Sequence, residues 1–304
     1  MAFEKVSPQH PDKIADRIAG AIVDHCYAHS EGGWLKSNPR VAVEVLLGHG
    51  KCYVMIETSC TRAELSCNDV DDIVHRIVGD VEIFVTICDQ DPELSKNQKD
   101  GIKSADNGIF KGSAPTHEQK LLTAIAASIY DKLPHDGKYI VNGSGKLACP
   151  DFDVTVCQSH MPQADNAELT EHLRKNYGIR DVIINPLGEW TGGPDVDCGA
   201  TNRKLGSDMG DGVSGGGLHG KDLSKGDVSI NIVAFLKAVQ SGQTVTACCS
   251  IGDEHVTFQY ASGKTETETF ADVVEMARLY ILTDCNGSFE TFSEWGLIRP
   301  LAQE

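Results

Sequence analysis

Residues 192–227 read GGPDVDCGATNRKLGSDMGDGVSGGGLHGKDLSKGD, and eleven of these 36 are glycine. That density is too high for a packed helix or strand. It leaves backbone N–H groups open to close approach and permits positive φ at tight turns. Four cations, Arg203, Lys204, Lys221 and Lys225, are interleaved with six aspartates, of which Asp197, Asp222 and Asp227 stand near them in sequence. Cations beside bare backbone suit a polyphosphate, and neighbouring carboxylates suit the magnesium that accompanies it. A solvated linker would favour Ser, Pro and Glu over four separate basic residues. The stretch predicts a phosphate-handling loop, with the remaining chain as its scaffold.

The scaffold is large enough to bury a core: 304 residues, 40% hydrophobic and 23% charged, are ordinary for a soluble globular protein. A formal charge of −17 argues against a nucleic-acid partner, which needs a basic face. Eleven scattered cysteines without a CxxC pair or zinc-ligand spacing predict reduced thiols in a cytoplasmic protein. No segment approaches the length of a membrane span, so no membrane partner is expected.

Upstream, Ile14, Ile18, Ala21 and Ile22 recur at helical spacing and predict a helix over 11–29, with Pro11 in its first turn. His10, Asp12 and Lys13 would sit at its N-terminus, a favourable place for anions. Strand-like runs at 40–47 and 51–58, joined by Gly48-His49-Gly50, predict a hairpin. Each run carries an acid among apolar neighbours, Glu44 and Glu57. A helix over 68–78 and a strand over 81–88 follow. Residues 89–115 read as a long polar loop of the kind that serves as a lid. Thr116 and Gln119 form a capping box opening a helix to about 131. Further strands are expected at 153–158, 181–184, 244–251 and 255–260, with helices near 165–177, 228–239 and 271–282. Strand pairs alternating with helices predict repeated α+β units, helices on one face of each sheet. Gly143-x-Gly145-x-x-Ala148 and Gly210-x-Gly212-x-x-Gly215 imitate a dinucleotide fingerprint, but Pro150 stops the required helix after the first and no strand precedes the second.

Several motifs together resemble one family, the methionine adenosyltransferases (S-adenosylmethionine synthetases), of which the chain looks like a short, divergent member. They are HPDK at 10–13 followed by IAD, Glu57-Thr58, INP at 184–186 and GGP at 192–194. DCG-x-T-x-RK at 197–204 and GGG-x-x-GKD-x-SK-x-D at 215–227 complete the set. The likeness fades after about residue 260. It implies an α+β fold of three similar sheet-plus-helix units about a pseudo-threefold axis. These would form one catalytic unit over 1–304, with interleaved subdomains near 1–110, 111–185 and 186–304. It also implies transfer of the adenosyl group of ATP to L-methionine by attack of sulfur on C5′, with release and cleavage of triphosphate. Mg²⁺, two per site, and K⁺ are the implied cofactors, and a homodimer or dimer of dimers with shared sites is the implied assembly.

Carried over by position, His10 resembles the histidine that contacts the triphosphate, and Asp12 and Asp227 resemble magnesium ligands. Glu44 resembles the glutamate of the potassium site, and Glu57 and Gln90 the methionine-contacting pair. Asp197 resembles the aspartate touching both substrates. Arg203, Lys204, Lys221 and Lys225 resemble the cations around phosphates and substrate, with Lys225 also near methionine. Lys146 resembles a further ATP contact, and Trp190 offers a stacking face for adenine. Glu189 stands where the family carries a cation, and the glycine segment is shorter at Leu218-His219. The alternatives are another ATP-dependent enzyme, such as a triphosphatase, or a catalytically silent regulatory relative.

Overall fold

In a computed structural model of the chain, residues 2–36, 38–93, 102–105, 107–143 and 152–300 are described. Helix α1 (Pro11–His29) lies at the centre: Ile14, Ile18, Ile22, Ala15, Ala19, Val23, Cys26 and Tyr27 are all buried. A helix covered on nearly every side belongs to the interior of a fold rather than to its surface. Among the described residues no helix is long and apolar enough to cross a membrane.

The strands form three four-stranded sheets, an α+β arrangement, and α1 packs on the one that contains β2 and β9. The first contains β2 (Val41–Gly48), β3 (Lys51–Thr58), β4 (Glu82–Asp89) and β9 (Gly199–Ala200), in the order β4-β3-β2-β9. The second runs β1 (Ala2–Val6), β6 (Gly137–Gly143), β7 (Phe152–Gln158), β8 (Asp181–Ile184). The third runs β12 (Thr265–Thr269), β11 (His255–Tyr260), β10 (Val245–Cys249), β5 (Gly108–Gly112). Each centres on an antiparallel hairpin preceded by a helix: α1 before β2, α3 (His117–Tyr130) before β6, and α5 (Gly226–Ser241) before β10. In two sheets the fourth strand is parallel and reached through a helix, α2 (Cys67–Val78) or α4 (Asn166–Tyr177), as a parallel connection requires. In the third, β12 pairs antiparallel by a tight turn and α6 (Phe270–Asp284) follows it.

The edge strands are exchanged in a closed cycle. β1, which precedes α1, completes the β6-β7-β8 sheet; β5, which precedes α3, completes the β10-β11-β12 sheet; and β9, which precedes α5, completes the β2-β3-β4 sheet. Two apolar cores result. One joins α1, α5 and α6 to two sheets; the other, built on Ile125, Tyr139, Val156 and Leu173, serves the β6-β7 sheet. Helix α7 (Phe289–Trp295) closes over α1 so tightly that a Cβ on Gly20 would lie 2.6 Å from the Phe289 carbonyl oxygen.

Two expectations need correction. The span 89–115 is not a featureless loop, because Ile109 and Phe110 lie in strand β5, with Phe110 fully buried. The glycine-rich stretch is not an open loop either: it supplies β9, a short helix at Leu205–Met209 and the first turn of α5. Its glycines bring backbones together. A Cβ on Gly199 would fall 2.1 Å from the Pro11 carbonyl carbon and 2.6 Å from the Asp12 nitrogen. Gly199→Ala should therefore cost about 1–3 kcal/mol or more through overpacking, read as a lowered urea midpoint. An unchanged midpoint would mean that β9 does not bear on α1.

Candidate active site

His10 is the N-cap of α1, and its Nδ1 accepts the Asp12 N–H at 3.1 Å. Burial, reinforced by the Lys204 ammonium, drives the imidazolium pKa down to about 3, so the ring is neutral at physiological pH. With Nδ1 accepting, the proton of the neutral ring resides on Nε2 and is available as a donor. Asp12 is buried too. Its Oδ1 accepts the Ala200 N–H at 2.9 Å and its Oδ2 accepts from Lys204 Nζ at 2.6 Å, with Arg203 3.4 Å from Oδ1. Burial alone would raise the Asp12 pKa, but the Lys204 and Ala200 hydrogen bonds outweigh it and hold the carboxyl below its ordinary range. The expected association of His10, Asp12, Arg203 and Lys204 is realised, and β9 brings it about.

One residue further, Lys13 turns into the interior. Its fully buried ammonium donates to Asp208 Oδ2 at 2.6 Å and Asp16 Oδ2 at 3.1 Å. His219 Nε2 lies 2.8 Å from the same Asp208 oxygen, and the Ser293 hydroxyl lies 3.0 Å from His219 Nδ1. Asp16 Oδ1 accepts the Asn202 N–H at 2.7 Å, while Asn202 Oδ1 accepts the N–H groups of Leu218 and His219. The segment is thus laced to α1 at residues 12, 13 and 16.

A second cation–carboxylate pair lies at the start of α5, where Asp227 Oδ2 accepts from Lys221 Nζ at 2.6 Å. Asp227 Oδ1 faces a place that a Cβ on Gly216 would fill at 2.2 Å. Lys221 bridges to Ala42, which pairs in turn with Glu57, so these residues stand in one row across the sheet. Lys225 is the N-cap of α5 and lies near Asp222. Asp222 is no metal ligand candidate: its Oδ2 accepts the Val41 N–H and its Oδ1 the Ser224 N–H, which makes it a buried fastener of the loop. Glu44 lies on the outward face of the β2 sheet, where Thr201 donates its hydroxyl to it. Gln90 follows β4; its amide oxygen is buried and has no hydrogen-bond partner among the described residues. Among the described residues, neither the Glu57 nor the Gln90 side chain hydrogen-bonds to the clusters above.

The β6 sheet adds groups that sequence reasoning missed. Lys138 Nζ stands 3.5 Å from Asp197 Oδ2 and 5.7 Å from the centroid of Trp190. Both Lys138 and Asp197 are close enough to His10 to bear on its charge. Asp136 is buried beside them. Its Oδ2 accepts the Gly193 N–H at 3.1 Å, while its buried Oδ1 has no partner among the described residues. Desolvation lifts its pKa to about 6 against the Gly193 hydrogen bond. Gly192 fits only because a Cβ would meet Trp190 at 2.4 Å and Asp136 at 2.6 Å. Trp190 donates its indole N–H to Asn185. Lys146 lies outside the described residues. The clue for Lys138 was only its place two residues after Asp136 at the head of a strand.

The donor chemistry fits hard, oxygen-preferring cations. Asp12 and Asp227 are carboxylates set among cations, and Asp227 Oδ1 accepts no hydrogen bond among the described residues. Asp16, Asp208 and His219 also bring donor atoms within 4.8 Å of one another, but the Lys13 ammonium already holds their centre.

Residues 1–91 match the family model described as S-adenosylmethionine synthetase, N-terminal domain. The chain is 28% identical over 274 residues to the S-adenosylmethionine synthase of Mycoplasma mycoides, covering 74% of this chain and 68% of that protein. It is 27% identical over 311 residues to S-adenosylmethionine synthase 1 of Rhodopseudomonas palustris, covering 87% and 78%. The Thermus thermophilus S-adenosylmethionine synthase is 27% identical over 292 residues, 76% of this chain and 71% of the relative.

Asp136 offers a test of the site's electrostatics. A carboxyl whose folded pKa of about 6 lies above its ordinary 3.8 stabilises the fold only while protonated. Its contribution is complete at low pH and is lost as pH rises through about 6. Asp136→Asn, which mimics the protonated group, should raise the melting temperature at about pH 8 and change it little at about pH 4. A gain of equal size at both pH values would contradict this.

Proposed function

We propose that this chain, which belongs to the S-adenosylmethionine synthetase family, is a methionine adenosyltransferase. In the reaction, the sulfur of L-methionine attacks C5′ of ATP in line and the whole triphosphate departs, to be cleaved to phosphate and pyrophosphate. The observation that carries the reading is the neutral, buried His10 at a helix N-terminus beside Asp12, Lys204, Arg203 and Lys138.

A thioether sulfur carries no proton to remove, so the site needs no base to activate it. It must align two substrates, worth on the order of 7–11 kcal/mol, and neutralise the charge gathering on the leaving triphosphate. The α1 N-terminus presents a positive dipole end to that charge. His10 Nε2–H donates to the departing O5′, and Lys138, Arg203, Lys204 and Lys221 receive the phosphates. Asp136, with its unpartnered Oδ1, accepts from the ribose hydroxyls, and Trp190 stacks on the base. Lys138 joins the ATP contacts that the resemblance assigns to Lys146. Bound Mg²⁺ would be held by Asp12 and Asp227, adding charge neutralisation on the phosphates, and K⁺ by Glu44.

Glu57 and Gln90 would contact methionine in a partner's site, since among the described residues neither side chain hydrogen-bonds to the clusters of its own chain. The outward face of the β2 sheet supports such a homodimer. Leu46, Tyr53, Met55 and Phe84 are 41–60% exposed there and form one apolar surface. The resemblance leaves open a further association of two dimers, and a cytoplasmic site of action fits the reading.

Purified protein with ATP, L-methionine, Mg²⁺ and K⁺ should yield S-adenosylmethionine with equimolar phosphate and pyrophosphate. Phosphate release independent of methionine would instead identify an ATP hydrolase. His10→Ala and Lys138→Ala should each lower kcat by about 100-fold or more while leaving circular dichroism unchanged. Met55→Glu should turn a dimer into an inactive monomer by light scattering; a fully active monomer would remove the shared-site proposal.

A further inference from the structure

We infer that Lys13 is a positioning residue whose ammonium occupies, from within the chain, a chamber otherwise built for a divalent metal. Its placement sets His10 and Asp12 for the chemistry proposed above, and that functional part rests on the preceding reading. The chamber walls are Asp16, Asp208 and His219, all buried, with donor atoms within 4.8 Å of one another. His219 Nε2 stands 2.8 Å from Asp208 Oδ2 and 3.8 Å from Asp16 Oδ2, within the separation of about 4 Å at most that ligands about 2 Å from one first-row ion can have. Lys13 Nζ sits among them, 2.6 Å from Asp208, 3.1 Å from Asp16 and 3.4 Å from His219 Nε2. Among the described residues Asp208 Oδ1 is buried without a partner, so the chamber has more accepting capacity than one ammonium satisfies.

The second coordination layer is also in place. His219 is oriented by the Ser293 hydroxyl on Nδ1, and Asp16 by the Asn202 N–H on Oδ1. Imidazole and carboxylates held this way are how proteins prepare metal ligands. Here the charge is supplied by a residue one position from Asp12 and three from His10. The cation is therefore tethered to the reacting end of α1, and its seat fixes the azimuth of the first helical turn. A free ion in the same seat would neutralise the carboxylates without that tether.

The inference separates two variants. Lys13→Ala removes the charge and leaves space; Lys13→Met removes the charge and fills it. In Lys13→Ala, Co²⁺ should give a visible d–d band and raise the melting temperature. The wild type and Lys13→Met should give neither, and Lys13→Ala/His219→Leu should lose the band. If Lys13→Ala fails to fold alone, folding on addition of Co²⁺ supports the chamber, and failure to fold with Co²⁺ overturns it. An equal Co²⁺ band in the wild type also overturns it. For positioning, kcat should fall on the order of 100-fold in Lys13→Met, the scale of a misplacement of about 1 Å, with KM for ATP changed less than about threefold. Unchanged kcat, or loss confined to KM, rejects the positioning role. A wild type that forms no S-adenosylmethionine removes the proposed reaction and leaves the Co²⁺ readout to judge the chamber.

Discussion

The ion pair between Lys13 and Asp208 is the constraint on which the site depends. It joins residues 195 apart in sequence, with both side chains removed from water. Removing one partner of such a pair strands a buried charge and costs about 3–5 kcal/mol. Burial opposes the charged forms of both groups, but mutual attraction wins: the Lys13 pKa is raised and that of Asp208 is lowered. Asp208 is held in turn through its backbone, whose carbonyl accepts the N–H groups of Leu297 and Ile298. Lys5, fully buried, donates to the carbonyls of Ser207, Trp295 and Ile298 around the same point. The start of α1, the glycine segment and the segment after α7 are fixed to one another at a single knot.

Around that knot α1 divides its labour. Lys13 and Asp16 face the interior and are satisfied by partners, while His10 and Asp12 face cations brought by β9 and its sequel. The outer groups are left less than satisfied. His10 is buried as a neutral ring, and among the described residues Asp136 is buried with one oxygen unpartnered and Gln90 with its amide oxygen unpartnered. Unpartnered buried acceptors cost stability, about 1–3 kcal/mol each. Asp136 and Gln90 stand apart in the fold, the first beside Gly193 before β6 and the second after β4.

Local patterns were legible in the sequence where they were also local in space. The span of α1 follows from Ile14, Ile18 and Ile22 with Pro11, and Thr116 and Gln119 form both hydrogen bonds of the expected capping box. Strand β12 was missed because TETET has no apolar face; its half-buried Glu266 and Glu268 are neutralised by Lys237 at 2.9 and 2.8 Å. Strand β1 was missed because its partner β6 lies some 135 residues away, beyond any periodicity signal. For the site, His10, Asp12, Arg203 and Lys204 could be grouped through short motifs. Lys138 and Asp136 could not, since only the fold of β6 against Gly193 and Asp197 reveals their position. The Lys13 chamber left no trace in sequence because its parts come from α1, the short 205–209 helix and the shortened glycine segment.

The cyclic exchange of edge strands explains why glycine is concentrated where it is. β9 must leave its own unit, cross the N-terminus of α1 and pair with β2 for two residues, Leu46 with Ala200 and Leu47 with Gly199. That crossing is possible only if the two backbones nearly touch, as Gly199 does against Pro11. The same contact points the Ala200 N–H at Asp12. Gly48, at positive φ, accommodates the same strand from the other side, where a Cβ would fall 2.9 Å from Cys198. Gly199, Gly210, Gly212 and Gly220 thus bring the segment against Pro11, Gln119, Lys111 and Val43 in turn. What this close approach assembles is a cationic rim, with Arg203 and Lys204 brought against Asp12. Because the rim requires a pairing between residues about 150 apart, it cannot form ahead of the fold, and site assembly waits on the slow, non-local part of folding.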